Sequence, residues 1–184
     1  MEQNEIKGGL FNAAGIEGLK LGLISAVYVL ATQFLEKADS PVFIVTILAM
    51  VLWLAKFIAC IWIMRQGMLK FAAANEGVER KDTLRFGILT ALLSAFVFAA
   101  FSYANVAFIA ADMIAEQFEL AMQQMAPMLD SNSMSLVEKF MENMPVITLI
   151  SNFIYCFLYG IVLSAILSSK IPATDPFADY KPQE

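Results

Sequence analysis

The sequence has no histidine, only two cysteines and few charged residues. Histidine is the commonest general base and the commonest transition-metal ligand, so its absence excludes most familiar catalytic and metal-binding arrangements. Charged residues make up 16% of the chain, whereas a soluble domain has about 25%. The net charge is −5, and no basic patch is large enough to neutralise several phosphates, which excludes nucleic acid as a partner.

The short patterns that mark common enzymes are also missing. The chain contains no Gly-x-Ser-x-Gly, no glycine-rich phosphate loop, no His-Glu-x-x-His and no pair of aspartates within an apolar run. We therefore expect a protein that is not an enzyme and that needs neither a cofactor nor a metal ion.

Apolar residues, by contrast, make up 59% of the chain, and its mean hydropathy is +0.67. They form four long runs, over residues 18–35, 42–64, 86–111 and 146–169. A bilayer core about 30 Å thick requires roughly 20 apolar residues in a helix, and each run meets or nearly meets that length. The sequence predicts an all-α integral membrane bundle of four transmembrane helices, folded as a single domain.

Lysine and arginine are distributed unevenly between the two sides of these spans. One side carries nine of them: Lys7, Lys20, Arg65, Lys70, Arg80, Lys81, Arg85, Lys170 and Lys181. The other side carries two, Lys37 and Lys139. Because basic residues are retained in the cytoplasm, we predict a multi-pass protein of the bacterial inner membrane with both termini cytoplasmic.

Residues 112–145, between the third and fourth spans, form the one sizeable segment outside the predicted membrane. Acidic and apolar residues alternate there at helical spacing up to Pro127, and a second amphipathic pattern follows residues 130–133. We expect an amphipathic helical hairpin that lies over the outer end of the bundle. The tail, residues 171–184, contains three prolines and is predicted to be disordered.

Seven of the eleven methionines fall in this external segment, and Met122, Met125 and Met128 recur every third residue. Thioethers are soft ligands that suit Cu(I). The same spacing also follows from one apolar helix face, where methionine is a usual filler of adaptable contacts. With no histidine or cysteine beside them, the pattern favours the apolar face.

Three of the four spans carry a row of small residues at helical spacing, which permits another helix to approach closely. The rows are Gly18, Gly22 and Ala26 in the first span, Gly87, Ala91, Ala95 and Ala99 in the third, and Gly160, Ser164 and Ser168 in the fourth. We interpret them as packing surfaces within the bundle, with contact between copies as the alternative.

Lys56 is the one charged residue placed well inside a predicted span, roughly 12 Å from the nearer end. A central lysine costs about 2.5–3.5 kcal/mol on insertion scales, so it should face the bundle interior, a partner or a watery cavity. The residues at a similar depth on the other spans are Ser25, Ser94, Tyr159 and Ser164, and the fourth span has a polar stripe of Thr148, Asn152, Tyr155 and Tyr159. The candidate intramembrane polar site is Lys56, Ser94, Asn152, Tyr155 and Tyr159. Both a structural role, with the amine held by hydroxyls and backbone carbonyls, and a functional role stay open.

The two cysteines, Cys60 and Cys156, both lie within predicted spans. Counted from the predicted cytoplasmic ends, their depths differ by about 13 Å, which is too far for a disulfide. We interpret both as small packing residues.

Four features, taken in order, resemble those of a known family. They are a glycine-rich entry to the first span at residues 15–22, a basic loop entering the third span through the Thr-Leu-Arg-Phe-Gly of residues 83–87, a long acidic external segment, and a tail with Lys170 followed by Pro-Phe. Over residues ~10–172 the chain thus resembles a Bacteroidetes membrane protein family of unknown function, the domain-of-unknown-function family 4199. The resemblance implies a four-helix inner-membrane protein and no established activity or site residues.

Two functions fit this sequence. The first is a non-enzymatic inner-membrane scaffold or accessory subunit that acts through helix packing and the external hairpin, in the bilayer and with a protein partner or a second copy of itself. The second is a small oligomeric transporter or channel that uses Lys56 and the polar stripe. A transporter needs Lys56, Asn152 and Tyr159 to face one wet cavity, whereas a scaffold tolerates a dry core.

Overall fold

The computed structural model describes residues 2–37, 41–75, 78–125 and 130–171. The helices are α1 (Glu2–Lys37), α2 (Val42–Ala74), α3 (Arg80–Ala104), α4 (Ala111–Met125), α5 (Ser131–Glu142) and α6 (Met144–Ser168), and Asn105–Ile109 form a π-helical turn between α3 and α4. No strand occurs within the described ranges. The all-α class predicted from the sequence is confirmed.

Four helices are long and apolar enough to cross a membrane: Gly9–Lys37, Val42–Ala74, Arg80–Ile109 and Met144–Ser168. All four extend beyond the predicted runs at one end or both, most of all α1, which begins at Glu2, and α2, which continues to Ala74. At 1.5 Å per residue, the 36 residues of α1 span about 54 Å, well over a bilayer core. Hydropathy marks only the apolar part of such a helix, so the apolar run is shorter than the helix.

The four long helices alternate in direction, so the described parts of α1 and α6 leave the bundle at one common end. We call it the basic end; it is the end at which α2 stops and α3 starts, with Arg65, Lys70, Arg80, Lys81, Arg85 and Lys170 near it. The opposite end, which leads into α4 and α5, is called the hairpin end. Helix α3 is central, with α1 and α6 packed against it, and α2 packs mainly on α1.

The small-residue row of α1 faces α3. A Cβ atom added at Gly18 would lie 2.9 Å from the carbonyl oxygen of Thr90, and one at Gly22 would lie 2.7 Å from Cβ of Val97. Such distances leave no room for a side chain, so these glycines allow the two backbones to meet.

The rows of α3 and α6 face each other in the same way. A Cβ atom at Gly87 would lie 2.8 Å from Oγ of Ser164, and one at Gly160 would overlap Cβ of Ala91. The Ser164 hydroxyl donates to the Gly160 carbonyl oxygen at 2.6 Å, which satisfies it within its own helix. The rows pack within the bundle, as we interpreted them.

The well-packed core lies toward the basic end. Phe71 and Phe86 stack with ring centroids 4.7 Å apart, and Met68 beside them is fully buried. Ile171, the first residue of the predicted disordered tail, is also buried in this core. The boundary at 171 is therefore wrong by at least one residue, and residues 172–184 lie outside the described part of the chain.

The outer half of α2, residues 42–58, is packed quite differently. No residue there, nor any further along the helix up to Ile63, is fully buried, and near the start of the helix Val42 and Phe43 are 82% and 74% exposed. Burial begins only at Met64, where α2 joins the core of the basic end. The second helix thus has fully buried residues only in its last third, and over the rest it has half-buried side chains such as Lys56 and Cys60 on one face and exposed apolar side chains elsewhere.

Helix α3 begins with a capping box at Glu79. The side chain of Glu79 accepts from the N3 backbone amide, and Asp82 accepts from the Glu79 amide at 3.3 Å. Glutamate at the cap, with aspartate three residues further on, thus satisfies two backbone amides that have no partner within the helix.

Both predicted external helices are present as α4 and α5. No side chain of α4 and none of the described side chains of α5 is fully buried. Helix α4 contacts mainly the π-helical turn before it, and α5 contacts α6 after it. Their amphipathic faces are therefore not buried against the outer end of the bundle.

Asp130 caps α5 and supplies a pH-dependent element. The Ser133 amide donates to Oδ1 of Asp130 at 2.8 Å, and hydrogen bonding from Ser133 lowers the pKa of this carboxyl below its ordinary value of 3.8. A depressed pKa means that the charged cap stabilises the helix above pH 3.8, and that this contribution is lost as pH falls through the lowered value.

We expect the helicity of α5 to decrease on acidification below pH 4, as followed by amide hydrogen exchange of residues 132–142. Asp130→Asn keeps a capping oxygen but cannot titrate, so it should abolish this pH dependence while retaining the helix. An identical acid response in Asp130→Asn would show that the cap is not the cause.

Candidate functional site: the Lys56 cleft

Lys56 lies near the middle of α2, about 21 Å along the helix axis from Val42. From the other end of the helix, at Ala74, it is about 27 Å away, whereas the apolar run from which its depth was counted ends at residue 64. Its side chain is half-buried and faces α1 and α3. Half-burial of a charged side chain in an apolar helix requires a compensating contact.

Two aromatic rings provide that contact. Nζ of Lys56 lies 4.7 Å from the ring centroid of Tyr28 on α1 and 5.3 Å from that of Phe98 on α3. Cation–π contacts of this kind contribute about 2 kcal/mol when desolvated. We expected hydroxyls to hold the amine, but within the described residues it makes no hydrogen bond.

The amine stands beside a cleft formed by all four long helices, with a volume of about 110 Å³. Four of the five predicted site residues line it: Lys56, Ser94, Tyr155 and Tyr159. Asn152 is not among the lining residues. Its position on α6 is nearer the hairpin end, so the predicted polar stripe is only partly gathered at the cleft.

Tyr159 presents the most unusual polar group in the cleft. Its hydroxyl is buried and has no hydrogen-bond partner among the described residues. Its ring packs against Phe57, with centroids 5.9 Å apart. A buried hydroxyl without a partner costs about 1–3 kcal/mol, so Tyr159 offers a hydrogen bond that the chain itself does not use.

The rim of the cleft is aromatic and uncovered. Trp53 and Phe57 on α2 are 49% and 38% exposed, and Tyr155 on α6 is 66% exposed. Helices α2 and α6 contact each other little. The cleft therefore opens between α2 and α6, at right angles to the helix axes. Because the surfaces on both sides of this opening are apolar, it faces the region that lipid chains occupy.

Both cysteines line this same cleft, which corrects the depth argument made from the sequence. Cys60 was assigned to a shallow position because its depth was counted from the end of the apolar run at residue 64. With α2 extended to Ala74, Cys60 and Cys156 come to the same level. Neither is in a disulfide.

No carboxylate lines the cleft, so the charge of Lys56 is not neutralised there. The nearest candidate by sequence, Glu17, is used elsewhere: it accepts from Lys20 at 2.7 Å and lies over Gly67, where an added Cβ would be 2.9 Å from its Cγ. Glu17 borders a separate, shallower groove near the basic end, together with Lys70.

The described ranges contain no group of three or more histidine, cysteine, aspartate or glutamate side chains that could hold a metal ion. Of the methionines considered for Cu(I), Met122 is half-buried and Met125 is 50% exposed on α4, and Met128 lies outside the described residues.

Sequence reasoning found the lysine but missed Tyr28 and Phe98. Partners for the lysine were sought among hydroxyls and carboxylates at the same depth, and aromatic rings were left out. Tyr28 follows Ser25 by three residues and Phe98 follows Ser94 by four, so both rings lie one helical turn from serines at that depth. A search for aromatic residues at the depth of the lysine would therefore have found them.

The contact between Lys56 and Phe98 predicts a measurable coupling. In a double-mutant cycle, Lys56→Met and Phe98→Leu should be coupled by about 0.5–2 kcal/mol of unfolding free energy, because either change removes the same cation–π contact. Unfolding in mild detergent measures the free energy of each variant in the cycle.

The control cycle pairs Lys56→Met with Phe96→Leu, because Phe96 lies on α3 like Phe98 but is exposed. This cycle should show no coupling. Equal coupling in both cycles would contradict the contact.

The four long apolar helices and their antiparallel packing define an all-α helical membrane protein. Over residues 17–169 the chain matches the family described as "Protein of unknown function (DUF4199)", and it belongs to that family. No curated protein and no solved structure matches the chain.

Proposed function

We propose that this chain is a non-enzymatic subunit of the bacterial inner membrane that binds another helical membrane protein through the outer half of α2. The observation that carries the proposal is the absence of any fully buried residue from Val42 to Ile63. In a bilayer, helices gain stability by close van der Waals packing. Helices α1 and α3 have this packing with each other, and α6 packs along α3, although α6 too has no fully buried residue before Gly160. The outer half of α2 contacts α3 and α6 little and leaves large apolar side chains exposed.

The cleft itself supports this function better than transport. Asn152 does not reach it, and Met64 and Leu163 line it on the side of the basic end. Both of these side chains are buried, so the polar groups at Lys56 do not continue toward the basic end. A transporter would require such a continuation.

The orientation forms part of the proposal. The described ends of α1 and α6 share the basic end with most of the chain's lysine and arginine. The excess of basic residues favours the cytoplasm for this end, which would place α4 and α5 outside.

A photo-crosslinking residue placed at Ile44, Ile47 or Val51 tests the surface directly. These residues share one face of α2 and are 44–56% exposed. In native membranes we expect all three positions to give one protein adduct of the same mass, and the triple alanine variant to lose co-purification of that protein. A probe at Val162 on α6, which is equally exposed, serves as the matched control and should not give the adduct.

Two outcomes contradict the proposal. Crosslinks to lipid alone would mean that the outer half of α2 simply faces the bilayer. Adducts of twice the chain's own mass of 20.3 kDa would assign this surface to a second copy and not to another protein.

A further inference from the structure

We propose that the Lys56 cleft binds the carboxylate end of a single-chain fatty acid whose hydrocarbon chain leaves between α2 and α6. This inference goes beyond the proposed function and does not depend on what covers α2. It rests on charge, on an unused hydrogen-bond donor, on volume and on the direction in which the cleft opens.

The positive charge of Lys56 in the cleft favours an anionic ligand. Lys56 is the only charged residue that lines it, and within the described residues the amine has aromatic faces but no hydrogen-bond acceptor. A charge in an apolar span is stabilised when an opposite charge pairs with it. A bound carboxylate would supply both the counter-charge and the acceptor.

Hydroxyl groups complete the polar side of the site. The Tyr159 hydroxyl is buried without a partner, and it can donate to the second carboxylate oxygen. Ser25 and Ser94 line the same cleft from α1 and α3. A monoanion with two acceptor oxygens therefore matches one ammonium and one unused hydroxyl.

The size and opening of the cleft select the rest of the ligand. The cleft has a volume of about 110 Å³, which is large enough for a carboxylate and its first methylenes. The aromatic rim of Trp53, Phe57 and Tyr155 opens toward the position of lipid chains. A single hydrocarbon chain can enter there without crossing the polar surface.

The test uses the full chain in phospholipid nanodiscs and a photoactivatable sixteen-carbon fatty acid. We expect adducts on the peptides that contain Cys60 and Tyr155. Unlabelled palmitate should suppress them, and methyl palmitate, which has the same chain without the charge, should not. Phospholipid is present in large excess in every sample, so labelling that persists in its presence shows that a phospholipid headgroup does not occupy the cleft in place of the fatty acid.

Variants of Lys56 test whether the labelling depends on its charge. Lys56→Met should reduce labelling about tenfold or more, since a charged hydrogen-bond donor is lost. Lys56→Arg keeps the charge and should retain most of the wild-type labelling. Tyr159→Phe should reduce labelling by a smaller factor. Lys20→Met, which removes a lysine that is paired with Glu17 away from the cleft, is the matched control and should label like the wild type.

Three results would overturn the proposal. They are suppression by methyl palmitate equal to that by palmitate, undiminished labelling of Lys56→Met, and adducts spread along the exposed face of α2 and not at the cleft. If Lys56→Met does not fold, the two competitors applied to the wild-type chain decide the question alone.

Discussion

Phe86→Ala should destabilise the protein by about 3–5 kcal/mol, the range for deleting a fully buried aromatic ring. Phe86 is 1% exposed and stacks on Phe71 at the centre of the core near the basic end. That core joins α2 to α3, so its loss releases the helix that has least other packing.

Phe96→Ala is the matched control, because it makes the same change in the same helix. Phe96 is 66% exposed, and we expect its removal to change the unfolding free energy by no more than about 0.5 kcal/mol. Thermal or denaturant unfolding in mild detergent measures both variants. Equal losses in the two variants would mean that the core does not lie where the structure places it.

Gly160→Val should be similarly damaging, with a cost of about 1–3 kcal/mol or more from overpacking. The first carbon of any side chain at this position would overlap Cβ of Ala91 on α3. Because α3 and α6 meet through small residues on both sides, the clash can be relieved only by moving one helix away from the other.

Gly9→Val provides the comparison for this change. An added Cβ at Gly9 meets no atom within 4 Å, so the variant should unfold at nearly the wild-type temperature. If Gly160→Val instead keeps full stability and changes only the size of the particle in detergent, the glycine row would serve contact between copies and not the internal packing seen here.

Hydropathy and small-residue spacing predicted the helical class and the internal packing rows, since both depend on local patterns. The apolar run of α2, from which depths were counted, ends ten residues before the helix itself. Residues 65–74 include Arg65, Gln66 and Lys70, and a hydropathy count stops at such residues. The helix continues there because Met68 and Phe71 pack against Phe86, which is a tertiary contact.

That one boundary accounts for two errors at the candidate site. Depths counted from residue 64 placed Lys56 and Cys60 too close to the basic end, which separated Cys60 from Cys156. Counted from Ala74, both cysteines and the lysine meet in one cleft. The partners of the lysine were missed for a different reason, because aromatic faces bind a cation without any polar atom that a depth search would flag.

The central claim is that the Lys56 cleft is a dry site open to the bilayer and not part of an aqueous pathway. Its two native cysteines are ready probes, since Cys60 and Cys156 both line it. In sealed proteoliposomes, a charged thiol reagent applied from either side should modify neither cysteine, and both should react once the protein is denatured.

Two exposed positions serve as controls: Ser169→Cys at the basic end and Asn132→Cys on α5 at the hairpin end. Each should react readily when the reagent is applied from the side on which that end of the bundle lies. Modification of Cys60 or Cys156 in the folded protein as fast as at these control positions would contradict the claim and favour a transport pathway.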